Sequence, residues 1–265
     1  MAICELIIST IEANKDNPDL YEILLKLFIE IGVPIQSTSL TNAVLYRARR
    51  NENHIDFKKT SKISYPKNEY VEYFGRVNRP GQNMFYSSDI HDTCEAELLP
   101  YLKSDNKLIG EIIPITLGKW VLTKPIRVLV IPDSSNPCLA EYLSKVIEFD
   151  ISDEERLFFD FISSYFKKTH NEINYIYKIT TAYSNAAFQY YKLNNQNVDG
   201  ILYTSVHTID SFNIALFPHV IDSSILKLGD ILKVFYEIDA NYKLIDRDSI
   251  KPKCFCFEKD YIKWK

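Results

Sequence analysis

The chain predicts an α+β fold with a helical N-terminal extension, and three observations carry that expectation. Segments of helical and of strand character come in blocks (helices, strands, helices, strands), without the regular βαβ alternation of a doubly wound sheet. No internal repeat or low-complexity linker divides the 265 residues. A hydrophobic share of 46%, with 18 Tyr and 15 Phe, is enough for a full core and argues against disorder. The expected division is residues 1–40 as the extension and 41–265 as the main domain.

The elements follow in order. Residues 1–40 read as helical. In NPDLYEILLKLFIEIGVP, Leu20, Ile23, Leu24, Leu27, Phe28 and Ile31 recur at helical spacing. Asn17 can cap this helix, Pro18 suits its first turn, and Gly32 with Pro34 marks the stop. VLYRARR, Val44 to Arg50, reads as a strand that sets Arg47 and Arg49 on one face. A polar loop of about twenty residues and a glycine-bearing segment come next. Lys107 to Leu117 and Ile126 to Ile131 are β-branched and strand-like. Ser152-Asp-Glu-Glu155 is a capping box opening a helix that runs to Lys168, and Asn174 to Leu193 is another helix. Asp199 to Ser205 reads as turn then strand, and Ile214 to Phe217 and Leu228 to Ile238 add further strands.

Bulk properties exclude several classes. The net charge of −4 comes from 31 basic and 35 acidic residues mixed along the chain, so no basic block predicts a direct nucleic-acid surface. Cys4, Cys94, Cys138, Cys254 and Cys256 are odd in number and scattered, and Cys254-Phe-Cys256 is too tight for a usual zinc pair. With five scattered His, no metal site is expected. MAICELIIST carries Glu5 in its apolar run and lacks a basic leader region, and no run approaches a membrane span. A reduced, cytoplasmic location is the default expectation.

One stretch concentrates chemistry: GRVNRPGQNMFYSSDIHDTCEAEL, Gly75 to Leu98. Two of only 7 glycines, Gly75 and Gly81, flank Arg76, Asn78, Arg79 and Pro80. Glycine permits left-handed or close-approach backbone there, and arginine offers a fork of donors suited to phosphate oxygens. The plain reading is a turn with a solvated arginine; no phosphate-loop or dinucleotide fingerprint is present. Tyr86, on a strand, could stack on a planar ring or simply pack. Asp92-Thr-Cys-Glu95 has capping-box spacing, which predicts a helix start with Glu95 as its cap and Glu97 facing elsewhere. An extended segment would instead put both acids on one face. Arg47 and Arg49, two cations on one strand face, hint at a phosphate or carboxylate partner; an exposed edge strand is the alternative. Ser205 has no G-x-S-x-G elbow and no recognisable histidine–acid pair, so it reads as a hydrogen-bonding serine, with Asn213 opening another strand.

Taken in order, YRAR, GRVNRPG, FYSS, T-x-x-x-E in Thr93 to Glu97, DGILYTS and N-x-x-LF resemble the RES domain, named for its arginine, glutamate and serine. The resemblance covers roughly Val44 to Phe217. It implies an ADP-ribosyltransferase-like mixed sheet and a toxin that destroys NAD+, neutralised by an antitoxin bearing a helix-turn-helix domain. NAD+ is then substrate, no cofactor is needed, and inorganic phosphate is a candidate co-substrate beside water. By resemblance Arg47, Glu97, Tyr86 and Ser205 are the catalytic set, and Arg49, Arg76, Asn78 and Asn213 bind substrate. Departures are mild: Cys94-Glu95 stand where small apolar residues are common, and His207 follows the serine strand where a basic residue often occurs. Two other readings stay open. One is transfer of ADP-ribose to a macromolecule, since Glu95-Ala-Glu97 is an E-x-E. The other is a non-catalytic nucleotide- or partner-binding module. No membrane partner is expected, and a homo-oligomer is left open.

Overall fold

The computed structural model describes residues 2–99, 102, 109–137, 139, 141, 151–168, 173–208, 210–241, 244–256 and 259–264. Cys138 and the Lys107–Leu108 start of one expected strand lie outside the described residues. The class is α+β, as the sequence predicts.

Helices α1 (Ala2–Asn14) and α2 (Leu20–Ile31) open the chain. Gly32 closes α2 in the left-handed region at φ 62°, as expected. The helix begins later than predicted: Asn17 does not cap it but accepts the Asp19 N–H in a turn just before it. Gln36–Leu40, read as the tail of the helical extension, is strand β1. Gly32 and Pro34 have already ended the helix, and an open sheet edge is there to pair with.

The strands β2 (Val44–Arg50), β3 (Phe85–Ser88), β4 (Ile112–Leu122), β5 (Ile126–Val130), β6 (Gly200–Thr204), β7 (Phe212–Leu216), β8 (Leu226–Ile238) and β9 (Leu244–Ile250) join β1 in one sheet. Its order is β1-β5-β6-β7-β3-β2-β4-β8-β9. Only β5 and β6 pair in parallel among the described ladders. Helices α3 (His91–Ala96), α4 (Asp153–Phe166) and α5 (Ile173–Leu193) complete the main framework. At the start of α4 both halves of the predicted Ser152/Glu155 capping box are present.

Both faces of the central strands are covered, which is why GILYT in β6 is buried throughout. Ile201 and Tyr203 face one core with Leu24 and Phe28 of α2, Phe158 and Phe166 of α4, and Tyr183 of α5. Leu202 points the other way, into a core with Phe85, Trp120 and Val130. The alternation follows from the two-residue period of a strand. The N-terminal helices therefore pack into the same core as the sheet. No helix among the described residues is long and apolar enough to cross a membrane.

Candidate functional site

The site sits where the sheet splays. β2 pairs fully with β4, but with β3 at one position alone, Tyr46 opposite Ser88. Arg47 reaches over the divergence and donates from Nη1 to the Tyr86 carbonyl at 2.6 Å, with its guanidinium 5.3 Å from the Phe85 ring centroid. Its Nε is buried with no partner among the described residues. Burial, and then the like charge of Arg49, lower the Arg47 pKa to about 10, which leaves it a cation at neutral pH. Arg49 donates to the Lys62 carbonyl and lies 5.3 Å from the Phe57 ring. Burial lowers its pKa as well. Neither arginine makes an ion pair with a carboxylate among the described residues. Glu52, on the same cavity wall, offsets part of the Arg49 charge, and a bound anion would relieve what remains on both arginines.

These side chains line a cavity of about 520 Å³ together with Arg76, Asn78, Tyr86, Glu97 and Asn213. That volume falls in the ~300–1,000 Å³ range of small-molecule sites. The Gly75–Gly81 loop forms part of the wall. The two glycines serve different ends. Gly81 is left-handed (φ 75°), whereas Gly75 allows a close approach: a Cβ there would stand 2.3 Å from Asn78 Oδ1 and 3.0 Å from the Tyr86 hydroxyl. The space it leaves holds a network. Tyr86 Oη donates to Asn78 Oδ1 at 2.8 Å and accepts the Val77 N–H at 3.1 Å. Gly75→Ala should break that network and destabilise the protein by about 1–3 kcal/mol; an unchanged denaturation midpoint would mean that the loop yields freely.

Arg76 is not the solvated turn arginine of the plain reading. It is buried, and donates from Nη1 to the Phe166 carbonyl (2.6 Å) and from Nη2 to the Lys168 carbonyl (2.9 Å). A cation thus meets the orphan carbonyls at the end of α4. Its two terminal nitrogens are engaged in fastening the glycine loop to that helix.

Glu97 follows α3 directly, as its C-terminal capping residue. Its Oε1 accepts from Asn213 Nδ2 at 2.7 Å and from Ser205 Oγ at 3.1 Å. Its Oε2 lies 3.7 Å from His207 Nε2. Asn213 is oriented in turn by Ser88, whose hydroxyl donates to its Oδ1. The carboxylate is thereby held by neutral donors at the cavity wall. Asn213 and Ser205, both read from the sequence as site residues, meet here on one oxygen.

Glu95 behaves otherwise than its spacing suggests. The helix cap is Ile90, with no side-chain cap bond, so the predicted capping box at Asp92 does not form. Glu95 is buried and hydrogen-bonded to Tyr236 of β8, and burial raises its pKa. It is not part of the cavity wall, so the two acids of E-x-E point to different surroundings. Glu95, His91 and Asp92 bring ligand atoms within 4.8 Å of one another, but His91 and Asp92 are exposed and none of the three lines the cavity.

Sequence reading missed Tyr177 of α5 and Tyr203 of β6, which bring aromatic rings to the cavity. In a chain with 18 tyrosines nothing local distinguishes them. Tyr177 lies 5.4 Å from the Arg76 guanidinium, so burying that arginine and placing that ring are one event.

A family model described as RES domain matches residues 44–230. No match is found among curated proteins. Among solved structures, the chain is similar to one from the M. tuberculosis MbcT–MbcA toxin–antitoxin complex, at 13% identity and a TM-score of 0.43, over 79% of this chain and 91% of that one.

Proposed function

Because the chain belongs to the RES domain family, whose model spans residues 44–230, we propose that it cleaves the bond between nicotinamide and ribose in NAD+, with water or inorganic phosphate as acceptor. The observation that carries the reading is one cavity lined by Arg47 and Arg49, neither within ion-pair distance of a carboxylate among the described residues, and by the fixed carboxylate of Glu97. The diphosphate of NAD+ supplies an anion for Arg47 and Arg49. Tyr86, Tyr177 and Tyr203 provide aromatic surface for a planar ring.

The chemistry suits these residues. When the C1′–N bond breaks, its electron pair leaves on the nicotinamide nitrogen. Nicotinamide departs neutral, so no general acid is needed. Positive charge builds on the ribose, and the Glu97 carboxylate stabilises it without becoming a nucleophile. The acceptor oxygen then bonds C1′, and with water one proton is released. Asn213 and Ser205 fix the carboxylate, while Asn78 and Arg76 hold the loop that carries part of the wall.

Transfer to a macromolecule is the less favoured reading, because Glu95 turns to Tyr236 and not to the cavity. Purified protein incubated with NAD+, with and without phosphate, should release nicotinamide. The mass of the second product, ADP-ribose or its phosphate adduct, decides the acceptor. No nicotinamide over hours would overturn the proposal, and label from NAD+ retained on protein or nucleic acid would revive transfer. As a toxin, the enzyme should arrest growth on expression unless a proteinaceous antitoxin covers the cavity; the family resemblance implies one with a helix-turn-helix domain.

A further inference from the structure

The C-terminal hairpin, β10 (Cys254–Cys256) and β11 (Tyr261–Lys263), lies outside the matched span, yet it grips the segment that packs against Arg49 of the cavity wall. Asp260, in its turn, accepts three hydrogen bonds from the short helical turn at Thr60–Ile63. They come from Thr60 Oγ1 (2.7 Å), the Ser61 N–H (2.6 Å) and Ser61 Oγ (3.0 Å). Ile262 N–H donates to the Lys58 carbonyl and Trp264 Nε1 to the Phe57 carbonyl, each at 2.8 Å. The sheet fastens the same segment: buried Lys233 of β8 pairs with Asp56 at 2.7 Å and lies 4.9 Å from the Trp264 ring. Both groups that hold the Arg49 guanidinium, the Phe57 ring and the Lys62 carbonyl, belong to this fastened segment.

We propose that the hairpin is a strap that holds Arg49 in the cavity wall, with Asp260 and Trp264 as positioning residues for an anionic, diphosphate-bearing ligand. The inference rests on the reading of Arg49 as a diphosphate contact. A long arginine side chain must be ordered when it binds, and holding it in place beforehand removes that cost from the binding step. The strap therefore acts on affinity rather than on the bond-breaking step.

Asp260→Ala should raise KM for NAD+ about three- to tenfold with kcat nearly unchanged. Asp260→Asn keeps Oδ1, which takes two of the three bonds, and should recover most of the loss. In an Arg49→Ala background, Asp260→Ala should add no further change in KM, an outcome that general destabilisation would not give. Hydrogen exchange at residues 57–63 should speed up in Asp260→Ala. An unchanged KM in Asp260→Ala, or additive effects with Arg49→Ala, would overturn the strap. If the wild type cleaves no NAD+, the functional proposal fails separately, and ADP binding replaces KM in the same comparison. Wild type that binds no ADP, or Asp260→Ala that binds it equally well, would then overturn the strap too.

Discussion

Glu97→Gln should cut nicotinamide release by about two to three orders of magnitude while leaving the unfolding midpoint in place. The substitution is close to isosteric, and a glutamine carbonyl can still accept from Asn213 Nδ2 and Ser205 Oγ, the donors that now hold Oε1. What disappears is the negative charge, at the point where the proposed cleavage makes the ribose positive. Removing one preorganised electrostatic group from a transition state costs on the order of 10²–10³ in kcat. KM for NAD+ should move little, because in the proposed reading the substrate is held by its diphosphate, at Arg47 and Arg49. Single-turnover nicotinamide release measures the first effect, and calorimetric titration with NAD+ measures the second. Parental activity in the variant would remove Glu97 from the mechanism.

The local features of the fold and of the candidate site were legible in the sequence, and the long-range ones were not. VLYRARR sets two arginines on one strand face whatever it pairs with, and the Ser152 capping box forms its own bonds within one turn. Asp92-Thr-Cys-Glu95 has the same spacing and fails. There the chain enters the helix at His91, and Tyr236 of β8 competes for the glutamate. A distant hydrogen-bond partner outweighs a local pattern, and no window of neighbouring residues displays it. The burial of Arg76 is hidden for the same reason, since its carbonyl acceptors, Phe166 and Lys168, lie about ninety residues downstream. Gln36–Leu40 was lost to the helices because strand pairing with β5 is a long-range event. The convergence of Glu97, Ser205 and Asn213 on one oxygen could be expected only through the family resemblance, since over a hundred residues separate the acid from its donors.

Arg47→Ala is expected to act on binding. The guanidinium does two things at once: Nη1 bridges the gap between β2 and β3 to the Tyr86 carbonyl, and the side chain brings its charge to the cavity wall, where an anion can meet it. A charged hydrogen bond contributes about 1.5–3 kcal/mol, so loss of the ligand contact alone should raise KM for NAD+ by roughly 10- to 150-fold. Loss of the Tyr86 bridge would add a second, smaller effect on kcat, because β3 leads through α3 to Glu97. Arg47→Lys separates the two. Lysine restores a cation but not the planar fork, so it cannot satisfy the carbonyl and a diphosphate together. It should therefore recover part of the affinity and little more. The two effects should also differ with salt: screening weakens long-range attraction for the diphosphate in the parent and in Arg47→Lys, and has less to act on in Arg47→Ala. An alanine variant with parental KM and parental salt dependence would show that the anion binds without this arginine, and that its burial under β3 serves the sheet alone.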